Sequence, residues 1–314
     1  MSDQTDIPVI YHSSDAPMSK WQEWLNRLDP RIRLIPVDDK DAKRADVMIT
    51  WSPPYGAIAE LENLKGVISL AQGVDHLLDD PSLPRDIIVG RLIDPFMSQS
   101  MAEWVMLAIL KQHRDEAAYT AAAIRKDWLC LEPRIPADYT VSVMGIGAIG
   151  GHVAEKIASF GFNVLGWSRT EKSLAGVTSL TGTDGFDHCL KQADYVVSVL
   201  PLTDSTRDIY DANAFQVMKT GAYFINCGRG LQVVEDDLIS ALDQGQLSGA
   251  CLDVFRQEPL PADHPLWVHD KVTVWPHVSA QTSPITAAKQ VLASIMAIRE
   301  GKPPVNPVDI SRGY

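Results

Sequence analysis

The stretch VSVMGIGAIGGHVAEKIASFGFNVLGWSR, residues 141–169, decides the fold of this chain. It opens with an apolar run at residues 141–144, whose length predicts a buried strand. Three glycines with the spacing G-x-G-x-x-G follow, and residues 152–160 then have the pattern of a helix. A second apolar run at residues 163–167 predicts a second strand. Together these pieces predict a strand–helix–strand unit with a glycine-rich turn directly after its first strand.

The glycine-rich turn, Gly145 to Gly150, predicts a binding site for the pyrophosphate of a dinucleotide. The first N–H groups of a helix have no partner within the helix, and the helix dipole favours negative charge there. We expect Gly145 to make the turn, Gly147 to admit the pyrophosphate, and Gly150 to allow the helix to pack closely on the strand. Ala148 and Ile149 complete this set of cofactor-binding residues. The competing interpretation is an ordinary strand-to-helix turn.

The end of the second strand indicates which dinucleotide is bound. An acidic residue is expected about twenty positions after the glycines of an NAD site, where it binds the ribose and repels a 2′-phosphate. The chain has Ser168, Arg169, Thr170 and Lys172 there instead. Hydroxyl groups and a guanidinium suit a phosphate dianion, so these residues predict that NADP(H) is preferred over NAD(H). The competing interpretation is that Arg169 and Lys172 belong to a solvated turn.

Length and composition narrow the class of protein. A chain of 314 residues is long enough for two domains, each with its own core. A net charge of −12 argues against nucleic acid or an anionic membrane as a partner. The four cysteines are widely spaced and predict reduced, mostly buried thiols, and no cysteine or histidine spacing predicts a metal site. Because no run is long enough to span a membrane and the first 15 residues lack an export signal, we expect a cytoplasmic protein.

The order of strand-like and helix-like pieces predicts an α/β protein. Their alternation over the first 95 or so residues indicates a small parallel sheet. In this part we predict strands at residues 8–11, 46–50, 67–70 and 86–90, and helices at 18–28 and 55–64. A long helix at 98–113 crosses into the next domain, and an irregular arm at 128–136 follows it. Beyond the glycine-rich unit we predict strands at 195–200, 222–226, 249–252 and 272–275, and helices at 235–242 and 285–299.

These pieces predict two Rossmann-like or flavodoxin-like parallel-sheet domains with a cleft between them. Residues 97–280 form the dinucleotide-binding domain. Residues 1–96 and 281–314 form the substrate-binding, catalytic domain. Hinges near residues 94–98 and 279–284 are expected to let the domains close and exclude water.

Charged side chains follow three different strands of the predicted dinucleotide-binding domain: Arg229, Glu258 and His277. Ligands of open α/β sheets bind beyond the carboxyl ends of the strands. An arginine there suits a carboxylate, and a histidine can pass the proton that accompanies hydride transfer to a carbonyl. A carboxylate partner would orient the imidazole.

The sequence resembles the D-2-hydroxyacid dehydrogenase family, and most closely its glyoxylate/hydroxypyruvate reductase branch. The resemblance covers nearly the whole chain and is densest from residue 144 to 280. The matching stretches are GIGAIG, WSRTEKS, LPLTDSTR, INCGRG, VVEDDLISALDQGQLSGACLDVFRQEPLP, HPLW and PHVSA. The resemblance implies NADPH-dependent reduction of a small 2-oxo acid, such as glyoxylate or hydroxypyruvate. It also implies a two-fold homodimer that involves the long helix and the arm.

Roles for individual residues follow from this resemblance. Arg229 binds the carboxylate and carbonyl of the substrate, His277 is the acid/base, and Glu258 orients it. The backbone of Gly73 and Val74 binds the substrate carboxylate from the other domain. The resemblance adds further residues to the cofactor site: Leu200, Pro201, Thr206, Cys227 and Asp253, the last at the nicotinamide end. For Thr206 and its neighbour Thr203, capping of a helix or turn is the competing interpretation.

Two tryptophans bear on the substrate pocket. Trp51 resembles a pocket aromatic of the reductase branch, and its bulk would exclude long side chains. Core packing at a strand end is the competing interpretation for Trp51. Trp275 stands where relatives usually have a small threonine just before Pro-His, which leaves the pocket wall there open.

Two other functions stay open from the sequence. One is an NAD-linked dehydrogenase of a larger D-2-hydroxy acid, such as D-lactate or phosphoglycerate, which Trp51 and residues 168–170 oppose. The other is a non-catalytic protein that senses a nucleotide. The joint presence of Arg229, Glu258 and His277 opposes that function.

Overall fold

The computed structural model of the chain describes residues 6–14 and 16–310. The described chain divides into two compact units, one formed by the residues up to Phe96 with those from Gln281 onward, the other by Met97–Ala280. Each unit has one sheet with helices around it, and all strand pairs are parallel, which confirms the predicted fold class. Residues 1–5 and 311–314, the ends of the predicted substrate domain, lie outside the described residues, as does part of the segment considered for an export signal.

The elements of the first unit come from both ends of the chain. Its strands are β1 (Ile7–Ser13), β2 (Ile32–Pro36), β3 (Val47–Trp51), β4 (Gly66–Ser69) and β5 (Ile88–Gly90). Its helices are α1 (Met18–Leu28), α2 (Asp75–Leu78) and α9 (Pro284–Arg299), with a 3₁₀ turn at Lys40–Arg44.

The second unit has seven strands: β6 (Thr140–Met144), β7 (Asn163–Trp167), β8 (Val177–Leu180), β9 (Tyr195–Ser198), β10 (Ala222–Asn226), β11 (Leu247–Leu252) and β12 (Val272–Val274). Its helices are α3 (Pro95–His113), which begins just before the boundary, α4 (Glu116–Arg125), α5 (Ala148–Ser159), α6 (Gly182–Gln192), α7 (Ala212–Val217) and α8 (Glu235–Asp243). Short 3₁₀ turns lie at Pro136–Asp138, Gly230–Gln232 and Pro265–Trp267.

The sheet of the first unit has the strand order β2-β1-β3-β4-β5. Alternate side chains of β1 enter different cores, because successive residues of a strand point to opposite faces. Val9 packs with residues of α1 and α9, whereas Ile10 packs in the core that includes Leu77 of α2. Trp21, Leu25 and Leu28 have the spacing of one face of α1; Trp21 and Leu25 are buried, whereas Leu28 at the helix end is 39% exposed.

The predicted helix at residues 55–64 is wrong, because this segment is a series of turns. Two prolines precede it, and Gly56 has a φ of +86°, which a right-handed helix does not accept. Most of its hydrogen bonds span three residues, for example from the N–H of Leu61 to the carbonyl oxygen of Ile58 (3.2 Å). Strand β2 was not among the predicted strands, although Ile32 and Leu34 alternate in the way a half-buried strand requires.

The sheet of the second unit has the strand order β12-β11-β10-β9-β6-β7-β8, so β6 and the glycine-rich turn lie in its middle. Val141 and Val143 of β6 pack in one core with residues of α3 and α5. Met144 belongs to the core on the opposite face, which contains residues of α6, α7 and α8. Both faces of β6 are covered, which is why Val141, Val143 and Met144 are apolar and the one buried polar residue between them, Ser142, donates to the carbonyl oxygen of Cys189 (2.9 Å).

Several boundaries in the second unit differ from the prediction. Helix α5 begins at Ala148, within the glycine motif, rather than at residue 152. Elements β8, α4 and α6 were not predicted; α6 contains two glycines, which weaken a helical pattern. The arm at residues 128–136 is irregular up to residue 135, as predicted.

Three of the four cysteines are buried and Cys130 is exposed, which confirms the prediction that these residues are mostly buried. Across residues 6–14 and 16–310, no helix combines the length and the apolar character that crossing a membrane requires.

Candidate active site

The glycine-rich turn has the geometry that its spacing predicts. Gly145 follows β6 with a φ of +104°, a left-handed conformation that glycine adopts without strain. A side chain at Gly150 would collide with the backbone oxygen of Gly145, so α5 can approach β6 closely because residue 150 has no Cβ. The N-cap of α5 is Gly147, and no side chain in the described part of the chain caps this helix.

The start of α5 is open and fits a phosphate. Gly147 and Ala148 are exposed, and a Cβ built on Gly147 would meet no described atom within 4 Å. The start of α5 therefore adjoins open space, and the first N–H groups of a helix can donate to a dinucleotide pyrophosphate there. Ile149 is 9% exposed and packs in the core, so its side chain supports the turn from behind.

The loop that is predicted to select the cofactor lies beside the glycine-rich turn. The carbonyl oxygen of Trp167, the last residue of β7, accepts hydrogen bonds from the N–H groups of Gly145 (2.8 Å) and Ile146 (3.3 Å). The hydroxyl of Ser168 donates to the carbonyl oxygen of Thr170 (2.7 Å), which shapes the loop. Of the residues predicted to select the cofactor, Ser168 is half-buried, whereas Arg169, Thr170 and Lys172 are exposed. A basic, exposed loop thus lies next to the candidate pyrophosphate site.

The other predicted cofactor residues follow β9 and β10. Leu200 is buried and Pro201 is exposed. The hydroxyl of Thr206 donates to the carbonyl oxygen of Pro201 (2.7 Å) and accepts from the N–H of Thr203 (2.8 Å). These bonds favour the turn-capping interpretation for Thr206, and its contact with a cofactor stays a prediction. Cys227 is buried, which raises the pKa of its thiol well above the ordinary value, and the thiol donates to a carbonyl oxygen of β9 (3.3 Å).

The backbone around Arg229 is held by two buried amide side chains. Asn226, the last residue of β10, donates to the carbonyl oxygen of Arg229 (3.1 Å) and accepts from the N–H of Gly228 (3.1 Å). The N–H of Arg229 donates to the side-chain oxygen of Gln232 (3.1 Å). The guanidinium of Arg229 donates to the carbonyl oxygen of Gly228 (2.9 Å). The loop therefore presents the half-buried arginine from a well-ordered backbone.

Asp253 determines the backbone conformation at His277. Its carbonyl oxygen accepts from the N–H of His277 (2.8 Å), and its two carboxylate oxygens accept from the N–H groups of Val278 (2.8 Å) and Ser279 (2.9 Å). Burial raises the pKa of the Asp253 carboxyl, against the lowering effect of these hydrogen bonds. His277 has a φ of 55°, a left-handed conformation that side-chain-bearing residues rarely adopt. The contact of Asp253 with nicotinamide stays a prediction.

His277 and Glu258 form the hydrogen-bonded pair that the sequence predicts. The distance between Nδ1 of His277 and Oε2 of Glu258 is 2.7 Å, and each side chain is 35% exposed. The other carboxylate oxygen of Glu258 accepts from the N–H of Phe255 (2.9 Å). Burial acts to raise the pKa of Glu258, but the hydrogen bond and charge of His277, the Phe255 N–H and the charge of Arg229 together hold it below the ordinary value.

The three charged residues lie at one edge of the second unit's sheet. Strands β10, β11 and β12 are adjacent and parallel, so the loops that carry Arg229, Glu258 and His277 leave the sheet at the same edge. The glycine-rich turn leaves the same edge after β6. The arrangement places Arg229, His277 and the open start of α5 at the carboxyl ends of one sheet, where α/β proteins bind ligands.

Trp275 is half-buried and packs against the core that contains residues of α3. Its ring makes an edge-on contact with Trp104 of α3, with ring centroids 6.1 Å apart. It also lines a cavity of about 210 Å³, together with Lys111 and Lys271. The larger residue at this position is thus accommodated by α3 and the core.

The predicted substrate residues of the first unit lie near α2 and at the end of β3. Trp51 is half-buried and contacts the ring of His76, with ring centroids 4.3 Å apart. Trp51 also packs against the core of this unit, as its competing interpretation requires. Among the described residues, the N–H groups of Gly73 and Val74 donate to no protein acceptor, which leaves them available for an anion. The role of these residues in substrate binding stays a prediction.

Sequence reasoning missed the two amides that hold the Arg229 loop, Asn226 and Gln232. Both are fully buried. A signal was present, because each is a polar residue beside an apolar run at the end of a strand or turn. A buried amide requires hydrogen-bond partners, but the sequence does not say which partners it finds.

Comparison with known proteins finds the same architecture. Residues 104–279 match the family described as D-isomer specific 2-hydroxyacid dehydrogenase, NAD binding domain. A glyoxylate/hydroxypyruvate reductase A of Yersinia enterocolitica is 37% identical over 98% of this chain and 99% of its own length. The reductase of the same description from Photorhabdus laumondii is 34% identical over 98% of this chain and all of its own.

Two crystal structures of similar proteins contain the reduced or oxidised dinucleotide. A D-isomer specific 2-hydroxyacid dehydrogenase from Xanthobacter autotrophicus, in complex with NADPH and MES, superposes with a TM-score of 0.92 at 37% identity and covers 99% of this chain and all of its own. An NADPH-dependent glyoxylate/hydroxypyruvate reductase from Sinorhizobium meliloti, in complex with NADP and sulfate, gives a TM-score of 0.90 at 34% identity, over 98% of this chain and all of its own.

Proposed function

The chain belongs to the D-isomer specific 2-hydroxyacid dehydrogenase family, and from this premise we propose that it reduces glyoxylate and hydroxypyruvate to 2-hydroxy acids with NADPH. One observation carries the proposal. The hydrogen bond of 2.7 Å between His277 and Glu258 lies at the sheet edge that also presents Arg229 and the glycine-rich turn. Reduction of a 2-oxo acid needs these groups: a proton donor, a cation for the carboxylate, and a dinucleotide site.

NADPH, when bound, supplies the hydride that reduces the carbonyl carbon. We propose that the open start of α5 binds its pyrophosphate and that the loop after β7 binds its 2′-phosphate. The residues proposed to lie around the phosphates and the ribose are Gly145, Gly147, Ala148, Ile149, Gly150, Ser168, Arg169, Thr170, Lys172 and Thr206. The other proposed cofactor residues are Leu200, Pro201, Cys227 and Asp253, of which Asp253 lies at the nicotinamide end.

Arg229 is proposed to bind the substrate carboxylate and the carbonyl oxygen. Its planar guanidinium presents several donors in a fixed arrangement, so it can orient a 2-oxo acid and stabilise negative charge that develops on the carbonyl oxygen. The ordered backbone of its loop supports this role, because a well-placed donor reorganises little during the reaction.

His277 is proposed to donate a proton from Nε2 to the carbonyl oxygen during reduction, and to accept it in the reverse reaction. Glu258 is proposed to orient the ring through the hydrogen bond at Nδ1. We also propose that Trp51, Gly73 and Val74 of the first unit bind the substrate, which makes that unit the substrate-binding one.

The direct test follows NADPH oxidation by absorbance in the presence of glyoxylate, hydroxypyruvate, pyruvate and a longer 2-oxo acid. We expect turnover of the two small acids and a lower KM for NADPH than for NADH. The variant R169A should raise the KM for NADPH by roughly 10- to 150-fold, since a charge-assisted hydrogen bond contributes about 1.5–3 kcal/mol, and should leave the KM for NADH almost unchanged. No turnover with any of the acids would reject the function, and equal effects on both cofactors would reject the role of Arg169.

We infer that the protein works as a homodimer in the cytoplasm. The irregular arm after α4 exposes a row of apolar side chains, of which Trp128 is 99% and Ile135 61% exposed. A cluster of this kind favours association with a second copy. The mass by light scattering should be twice that of the 34.5 kDa chain, and W128D combined with I135D should halve it. Cell fractionation tests the location.

A further inference from the structure

Gln232 connects two loops that the proposed reaction uses. It lies in the 3₁₀ turn after Arg229 and is fully buried. Its side-chain oxygen accepts from the N–H of Arg229 (3.1 Å) and from the hydroxyl of Ser198 (3.3 Å). Its side-chain nitrogen donates to the carbonyl oxygens of Leu200 (3.0 Å) and Pro201 (3.0 Å). One amide thus bridges the ends of β9 and β10.

The orientation of this amide is determined by its partners. Two carbonyl oxygens lie on one side and two donors on the other, so the reversed orientation would oppose like groups on both sides. The amide uses both hydrogens and both lone pairs of the oxygen, which fixes its position as well as its orientation. A Cβ at Gly228 would lie 2.6 Å from its oxygen, so the neighbouring glycine makes room for it.

We propose that Gln232 is a positioning residue, which sets the spacing between the Leu200–Pro201 backbone on the cofactor side and the backbone of Arg229 on the substrate side. This inference rests on the proposed function, because it takes these two segments as the places where cofactor and substrate bind. Transfer between two bound molecules depends steeply on their separation, and a displacement of about 1 Å can cost on the order of 10²-fold in rate. A single amide that spans both backbones keeps that separation constant.

The chain offers a matched control in Gln246. Its side-chain nitrogen also donates to two carbonyl oxygens, those of Phe215 (3.2 Å) and Met218 (2.8 Å), and its oxygen also accepts from a hydroxyl, that of Thr220 (3.4 Å). Gln246 precedes β11 and so lies at the opposite edge of the sheet from the candidate site. The variant Q246M therefore removes comparable hydrogen bonds at a place where neither cofactor nor substrate is proposed to bind, and it measures the structural effect alone.

The experiment compares the full-length wild type, Q232M and Q246M. Three quantities are measured: steady-state kcat and KM with glyoxylate, NADPH affinity by calorimetry, and backbone hydrogen exchange of residues 227–231. Methionine is close to glutamine in length but makes none of the four hydrogen bonds. We expect Q232M to lower kcat at least tenfold, to raise the KM for glyoxylate, and to speed exchange in residues 227–231. We expect Q246M to lower the melting temperature yet keep all three quantities within twofold of wild type.

Kinetics and exchange of Q232M that equal those of Q246M would overturn the inference. If Q232M does not fold, Q232E decides, since it keeps the acceptor for Arg229 and loses the amide donors to Leu200 and Pro201. Q232E should weaken NADPH binding at least fivefold while exchange at Arg229 stays slow, and unchanged NADPH affinity would overturn the inference. A wild type that turns over neither small acid would reject the proposed function alone, because exchange and NADPH affinity still decide the role of Gln232.

Discussion

His277 has a backbone conformation that only its surroundings maintain. Its φ of 55° is accompanied by hydrogen bonds from residues 277–279 to one aspartate, Asp253. Strained conformations of this kind cluster at functional sites, where the surrounding structure over-determines them. The same loop orients the ring toward Glu258, so the conformation serves the pair that the proposed mechanism needs.

The left-handed conformation of His277 determines which substitution at this position preserves the backbone best. Asparagine adopts this conformation more readily than alanine, for which it costs roughly 1–2 kcal/mol. We expect H277N and H277A both to lower kcat on the order of 10²–10⁴-fold, the usual effect of losing an acid/base, while H277A also lowers the melting temperature more. Turnover and calorimetric melting of the two variants test this, and near-normal rates in H277N would contradict the assignment.

Glu258 should make stability depend on pH in the acid range. Its pKa lies below the ordinary value of 4.5, because the effects of His277, the Phe255 N–H and Arg229 outweigh burial. A group whose pKa is lowered by folding stabilises the native state above its unfolded pKa, and this stabilisation disappears as pH falls through the folded value. The difference in melting temperature between wild type and E258Q should therefore be largest above pH 4.5 and shrink below it. A difference that stays constant into strong acid would argue against the pairing.

The same variant tests the catalytic role of Glu258. Because the carboxylate orients the His277 ring through the hydrogen bond at Nδ1, E258Q should lower kcat/KM for glyoxylate on the order of 10²-fold, the usual effect of a displaced reacting group. The measurement is kcat/KM for glyoxylate, with E235Q as a control, since Glu235 accepts the backbone N–H of Arg256 instead. An unchanged kcat/KM in E258Q would leave Glu258 with a purely structural role.

At the scale of elements, two glycines of the turn between β6 and α5 have different roles, one in packing and the other in the proposed binding of the cofactor. Gly147 has open space before it and a φ of −75°, which alanine also adopts, whereas a Cβ on Gly150 would meet the backbone. We expect G147A to keep its stability and to raise the KM for NADPH at least tenfold. G150A should lose about 1–3 kcal/mol or more of unfolding free energy, because overpacking against backbone cannot relax. Calorimetry and cofactor titration of both variants decide, and a G147A protein with normal NADPH binding would place the pyrophosphate elsewhere.

At the scale of the whole molecule, the reactivity of the thiols indicates whether solvent reaches the core of the second unit. Burial raises the pKa of Cys189 to about 11 and that of Cys251 to about 12, and Cys227 is shifted well upward for the same reason. Because thiolate is the reactive form, native C130S should release no fast signal with a disulfide reagent at pH 8, whereas unfolded wild type should react at all four cysteines. A fast thiol in native C130S would show that the core opens.

Most of the fold could be predicted from patterns that extend over only a few neighbouring residues. Residues 141–169 predicted β6, β7 and the turn between them, since glycine spacing and apolar runs reflect backbone constraints that act over a few residues. Helix α1 and strand β10 were predicted at their observed bounds. The error at residues 55–64 has the same origin, because helical spacing of apolar residues does not reveal that Gly56 has a positive φ.

By itself, the sequence determined the α/β class, the family, and the three charged residues of the candidate site, because each depends on residue type and on order along the chain. Only the tertiary structure decided that Gln232 bridges two strand ends, that Asp253 fixes the backbone after His277, and that Trp275 packs against Trp104. Those contacts join residues far apart along the chain. Their partners are selected by burial and by the need of each buried polar group for a hydrogen bond, and neither condition exists before the sheet has formed.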